Sequence, residues 1–423
     1  VRNAYRFCSV IFTALLLCLA GCDNVWDASK DLTIGQDWLE EAETDTADRL
    51  ESDLFREDEG SEPQSGWTNT ADGAPFGEKD LSAQSDTAFS YGYSQLSGDE
   101  QQLYREILNS LLSCQEETEL SVKDPEMVER VFRYVMADHP EIFYADGYEV
   151  TTYRLGTELR RITFTGTWTL ESDEVLSRRA QLEAAAALWL EGLPDGTDDF
   201  EKAKYIYDAL ILRTEYEQGS ADSQTICSVL LNQRSVCQGY AKTFQYLCQL
   251  AGIPAMLVTG DVNGEGHAWN IVFLDGDWYY IDLTWGDASY QREEGEETPA
   301  LTETVNYDYF CVTTQEIERT HSMDDNQLLP VCNAVQDQYY RHEGLYLQSA
   351  DKEKIDEIFA RAAQKGAPMV CFQCADDTVY QEVYRLLIEE QGIFAYLPES
   401  ETTAAYLDSD RERTFYFWFT EVS

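Results

Sequence analysis

Three short runs, fixed in order and spacing, constrain this chain more than any other feature. They are Ser235-Val236-Cys237-Gln238-Gly239-Tyr240-Ala241, Gly266-His267-Ala268-Trp269-Asn270 and Tyr280-Ile281-Asp282-Leu283-Thr284-Trp285. Cys237 precedes His267 by 30 residues and His267 precedes Asp282 by 15, room for a helix, a strand, a loop and two adjacent strands. A thiol works as a nucleophile at neutral pH when its thiolate is stabilised, and a histidine held by a carboxylate does this while moving protons. The chain must therefore set the start of a helix against a sheet.

The pattern between these runs is consistent with that demand. A helix is expected from Cys237 to about Ala251, with Ala241, Phe244, Leu247 and Cys248 on its apolar stripe and Gly252 ending it. Strands are expected over Met256 to Thr259, Ala268 to Leu274 and Trp278 to Asp282, the last two joined by the hairpin signal Asp275-Gly276-Asp277. Cys237 in the first helical turn meets the positive end of the peptide dipoles, which favours the thiolate. Gly239 allows close approach of the chain there. Pairing of the two hairpin strands is expected to set His267 beside Asp282, which would hold the imidazole tautomer.

These runs, with Gly252-Ile253-Pro254 between the helix and the next strand, resemble the transglutaminase-like superfamily of papain-type folds. The resemblance covers roughly residues 178 to 330. It implies an α+β core, a nucleophile helix packed on an antiparallel sheet, flanked here by small N- and C-terminal α/β modules. It implies acyl transfer by Cys237, His267 and Asp282, with no cofactor or metal. Peptide or amide hydrolysis is the leading expectation; cross-linking by a transglutaminase reaction and a binding or scaffold module are the alternatives. By analogy with papain-like enzymes, Gln224 is a candidate oxyanion donor beside the Cys237 backbone N–H, though its 13-residue offset from Cys237 is unlike papain's. Trp269 and Trp285 are candidate cleft walls, with packing the better reading for Trp269.

Arg2 and Arg6 precede an apolar run from Ser9 to Ala20 that ends in Leu19-Ala20-Gly21-Cys22. Such a run spans about 18 Å as a helix, against about 30 Å of hydrocarbon, so residues 1–22 read as a lipoprotein signal peptide with Cys22 the lipidation site. A bacterial, extracytoplasmic protein held to its membrane by that lipid alone is expected. Residues 23–90 hold 19 Asp or Glu against 4 Lys or Arg, a composition that buries too little to fold, and 23–95 is assigned as an acidic tether.

The net charge of −49 disfavours nucleic acid and anionic headgroups as partners. A peptide or protein substrate is expected instead, basic or cell-wall-associated; the acidic run Arg292 to Glu297 hints at basic substrates, although a solvated loop is the commoner meaning. Past Cys22 the eight cysteines show no disulfide framework. Cys371 and Cys374 lie on an expected strand, where residues three apart face opposite ways, and read as structural. The remaining boundaries are an N-terminal module at 96–175, a catalytic core at 176–330 and a C-terminal domain at 331–423. In the last, strands are expected at 338–347, 368–373 and 413–420, and helices at 351–364 and 376–391. His139, beside Pro140 at a helix exit, reads as a packing residue.

Overall fold

The computed structural model describes residues 90–418 apart from 156, 194–195, 288–304, 325–326, 368 and 398–404. The leader with Cys22, nearly all of the acidic tether and the run 292–297 lie outside the described residues. The chain divides into two compact units, one formed among the described residues by 90–284 with 313–333, the other by 285–312 with 334–418.

The first unit opens with two amphipathic helices, α1 (Gly98–Leu112) and α2 (Pro125–Asp138). Ser97 begins α1, its backbone N–H donating to Glu100 at 2.8 Å. Asp124 caps α2 by accepting from Glu126 and Met127, with Pro125 at the first helical position where its missing N–H is harmless. His139 sits buried at the exit of α2, its Nδ1 on Glu141, as a packing role requires. Two long antiparallel strands follow, β1 (Ala145–Leu155) and β2 (Glu158–Trp168). Then come α3 (Ser172–Leu190), α4 (Asp199–Arg213), the short α5 (Ile226–Asn232) and α6 (Cys237–Leu250). The fold class is α+β, as expected.

Behind α6 stand β3 (Ala255–Val262), β4 (Glu265–Leu274), β5 (Asp277–Ile281) and β6 (His321–Met323), in spatial order β6-β3-β4-β5 and antiparallel throughout. The β4–β5 turn places Asp275 and Gly276 at φ 49° and 102°, the two positive values that a tight hairpin turn asks for. Gly252 ends α6 at φ 82°. Ala241, Leu257 and Ala268 pack together beneath the helix, with Cys237 against them. Asn270 pins the layers: its Nδ2 donates to Ala241 O on the helix at 3.0 Å and to Met256 O on β3 at 3.2 Å. At the far end of the helix Gln245 and Gln249 donate to the terminal carbonyls of α2, Ala137 and Asp138.

The second unit is built on a four-stranded sheet of β7 (Tyr346–Leu347), β8 (Met369–Cys374), β9 (Ala405–Ser409) and β10 (Thr414–Trp418), in order β7-β8-β10-β9. Helices α7 (Lys352–Lys365) and α8 (Asp377–Tyr384) enclose its core of Ile355, Phe359, Phe372, Val383 and Phe417. The expected strand at 338–347 is corrected. Its last two residues do form β7, but Tyr339–His342 is a helical turn, with the N–H groups of Arg341 and His342 donating to Gln338 O at 2.9 Å. Tyr340 donates to the buried carboxylate of Asp308, which also accepts from Tyr416 and Thr414. The expected helix at 376–391 stops as α-helix at Tyr384 and passes into a π-turn, Arg385–Glu389. Cys371 and Cys374 are buried free thiols.

Gly239 gives the sharpest test of how α6 is seated. A Cβ there would stand 2.0 Å from Ser235 Oγ and 2.6 Å from the backbone carbonyl of Ser223. Alanine adds about 1 kcal/mol of helix propensity, but a clash that includes backbone outweighs it, since overpacking costs about 1–3 kcal/mol. Gly239→Ala is therefore expected to lower stability by up to about 2 kcal/mol, read as an earlier urea midpoint at unchanged slope.

Candidate active site

Cys237 is the first residue of α6, and the residue before it, Val236, brings no capping side chain. The first backbone N–H groups of a helix have no intrahelical partner. With no side chain covering them from Val236, they remain as donors beside the sulfur. All eight described cysteines are free thiols, and Cys237 alone among them is not buried. Burial pushes the thiol of Cys114 up to about 11 and those of Cys332 and Cys374 up to about 12. Among the described residues, accessible thiol sulfur is thus confined to one position.

His267 lies on β4 opposite Gly260 of β3. Its Nε2 stands 2.7 Å from Asp282 Oδ2, in a pair whose side chains are 7% and 0% exposed. Cys237 interacts electrostatically with the same imidazole. Burial pulls the imidazole toward the neutral form, but the Asp282 charge and hydrogen bond, with those of Cys237, outweigh it and raise His267 to about 10. Asp282, for which burial alone would favour the acid, is held well below the usual carboxylate range by His267 and then His321. Both shifts favour the charged form of the pair.

The route to this contact differs from the expected one. The β4–β5 ladder ends at Asn270 and Ile281, so Asp282 is not a cross-strand neighbour of His267. Asp282 leaves the sheet at the start of a helical turn, Leu283–Gly286, and its carboxylate turns back. Thr284 N donates to Oδ1 at 2.8 Å, and Tyr207 of α4 donates to the Asp282 backbone carbonyl at 3.3 Å.

The sequence reading missed His321. On β6, 39 residues past Asp282, its Nε2 is 2.9 Å from the same Oδ2. No motif surrounds it; the available signal was scarcity, since the chain has four histidines. Among the described residues, His267, Asp282 and His321 form the one group whose donor atoms converge as metal ligands would, within 4.8 Å of one another. Here they are joined by hydrogen bonds through the shared oxygen.

Trp269 is fully buried and is not a cleft wall. Its ring stacks on His267 at 5.8 Å and meets His321 edge-on at 4.8 Å. Trp285 is buried in the other unit, with its ring edge against Tyr309. Gln224 is half-buried, and its side chain makes no hydrogen bond among the described residues. Its neighbour Ser223 is fixed against the first turn of α6: Ser235 Oγ donates to Ser223 O at 3.0 Å, and that carbonyl lies over Gly239. The peptide that joins Ser223 to Gln224 is thereby held against the start of the helix.

Residues 190–283 match the transglutaminase-like superfamily. The chain is similar to the kyphoscoliosis peptidases of Homo sapiens and Mus musculus, 33% and 32% identical over 111 residues, which span 22% of this chain and 17% of each relative. Among solved structures it is similar to the periplasmic domain of TgpA from Pseudomonas aeruginosa, at 19% identity and a TM-score of 0.20, covering 37% of this chain and 68% of that one. Residues 190–283 thus carry a transglutaminase-like domain, and the chain spans less than a fifth of the length of the curated relatives it matches.

Proposed function

We propose that the protein is a thiol enzyme that transfers acyl groups through Cys237, His267 and Asp282, most directly as a hydrolase of peptide or amide bonds. The observation that carries this reading is the buried 2.7 Å contact between His267 and Asp282, with the accessible Cys237 at a helix start that no side chain caps and in electrostatic contact with the same imidazole. The thiolate attacks the substrate carbonyl carbon, and the oxyanion forms facing the Cys237 N–H and the Gln224 amide. His267 gives its proton to the departing nitrogen as the C–N bond breaks, leaving a thioester. Water then adds, giving its proton to His267, and the carboxylic acid leaves as the thiolate returns. The name peptidase borne by the similar human and mouse proteins supports hydrolysis. The lipobox ending at Cys22 supports a membrane-anchored, extracytoplasmic site of action, and the net charge of −49 favours basic peptides over anionic partners.

Three measurements test this. Alkylation of Cys237 by iodoacetamide, read by peptide mass spectrometry, is expected to run well above the rate of a simple thiol between pH 5 and 8. The sign follows from His267, which keeps its proton until pH rises through about 10, so the imidazolium is present throughout that range. His267→Ala is expected to abolish the advantage; a wild-type rate like that of a free thiol would sink the proposal. Mass analysis of a peptide pool with and without a primary amine is expected to show cleavage that needs Cys237. Amine incorporation exceeding cleavage would make the enzyme a transamidase, and binding retained with no turnover would make it a scaffold. Gln224→Ala is expected to lower kcat by about 100-fold with KM nearly unchanged, as loss of an oxyanion donor does.

A further inference from the structure

Asp282 Oδ2 accepts two ring N–H groups, from His267 at 2.7 Å and from His321 at 2.9 Å. An ionised carboxylate only accepts, so both Nε2 atoms must carry protons. His321 is built for this. Its Nδ1 lies 2.6 Å from Thr320 Oγ1, closer than that hydroxyl's other acceptor, Ile317 O at 3.3 Å. A threonine proton given to Nδ1 fixes the Nε2–H tautomer, whose remaining proton points at Asp282. The His321 side chain is fully buried, packed against Trp269 at 4.8 Å and against the His267 ring at 5.6 Å. Opposite both His267 and Met323 on β3 is Gly260, which places no side chain between β4 and β6. His267 interacts electrostatically with Asp282 and Cys237, and Asp282 with both His267 and His321.

We propose that His321, oriented by Thr320, is a positioning residue that shares the Asp282 carboxylate with His267 and so draws charge from the oxygen His267 uses. The site is then a chain of four, Cys237–His267–Asp282–His321, in which the strength of the catalytic imidazole as an acid is set partly from an edge strand. Hydrogen bonds to a carboxylate stabilise its anion and weaken it as a partner for a neighbouring cation. Removing His321 therefore concentrates the carboxylate on His267, which holds its proton more tightly. This inference deepens the proposed thiol chemistry of the same site, but its test needs no turnover.

The test is the titration of His267 by NMR in protein labelled at histidine Cε1, where four histidines give four signals assignable by substitution. His321→Leu is expected to raise the His267 midpoint by about half a pH unit. His321→Gln places an amide N–H the same number of bonds from the backbone and is expected to restore the wild-type midpoint. Thr320→Val, a milder change that serves if the leucine variant does not fold, is expected to move the midpoint the same way by less. In an Asp282→Asn background removal of His321 is expected to change nothing, because its effect passes through the carboxylate. A midpoint unchanged or lowered in His321→Leu, or in Thr320→Val if the leucine variant does not fold, or an effect that persists without the Asp282 charge, would overturn the proposal. Slow alkylation of Cys237 alongside the expected midpoints would instead remove the thiol-enzyme reading and leave this one standing.

Discussion

The Asp282 carboxylate, fully enclosed, is the charge around which the first unit is arranged. An ionised carboxylate out of water is tolerated only with partners and hydrogen bonds. It has them from separate parts of the chain: His267 on β4, His321 on β6 and the backbone of Thr284. Tyr207 on α4 secures the peptide that carries it. Breaking a buried pair of this kind by removing one partner costs about 3–5 kcal/mol, so under the proposed function the same carboxylate serves fold and chemistry. Loss of activity on changing it would therefore not by itself separate the two, which is why variants at its partners are more informative.

The helix start is fixed just as closely by neutral contacts. Asn270 ties the middle of α6 to β3, and Ser235, Ser223 and Gly239 lock its first turn against the preceding loop. Two tethers at different heights leave the helix little freedom to slide or tilt against the sheet. The sulfur then stays in reach of the imidazole without a bond to hold it there. Precision of this kind matters because a displacement of about 1 Å at a reacting centre can cost about 100-fold in rate.

Much of this was legible because local chemistry and site chemistry coincide. The Asp275-Gly276 turn needs positive φ at two positions, Gly252 needs it at one, and the residues suited to those backbones stand there in the sequence. The order Cys237, His267, Asp282 could be read for the same reason, each lying at the edge of a recognisable element. His321 could not. It belongs to a three-residue strand, shows no periodicity, and meets Asp282 across 39 residues of chain. The strand expected at 338–347 failed because aromatic residues favour strands in general, whereas the hydroxyl of Tyr340 is held by Asp308. Strand β9 went unread, since its place depends on pairing with β10.

The two steps of the proposed acyl transfer ask opposite things of His267, and the site's electrostatics can supply both. A histidine raised to about 10 holds a proton when the nitrogen is ready to leave but is a weaker acid for giving it up, and as a base for water it must first be neutral. Part of that elevation comes from Cys237 itself, through its hydrogen bond and charge. Once the sulfur is bound in a thioester it carries no negative charge, that part vanishes, and His267 has just lost its proton to the departing amine. The imidazole is then left neutral beside a carboxylate that retains most of its own stabilisation from His321 and Thr284. A second donor on Asp282 keeps the carboxylate from overcommitting the imidazole to its charged form. On this argument the reaction switches its own catalyst from acid to base, and the buried carboxylate sets how far.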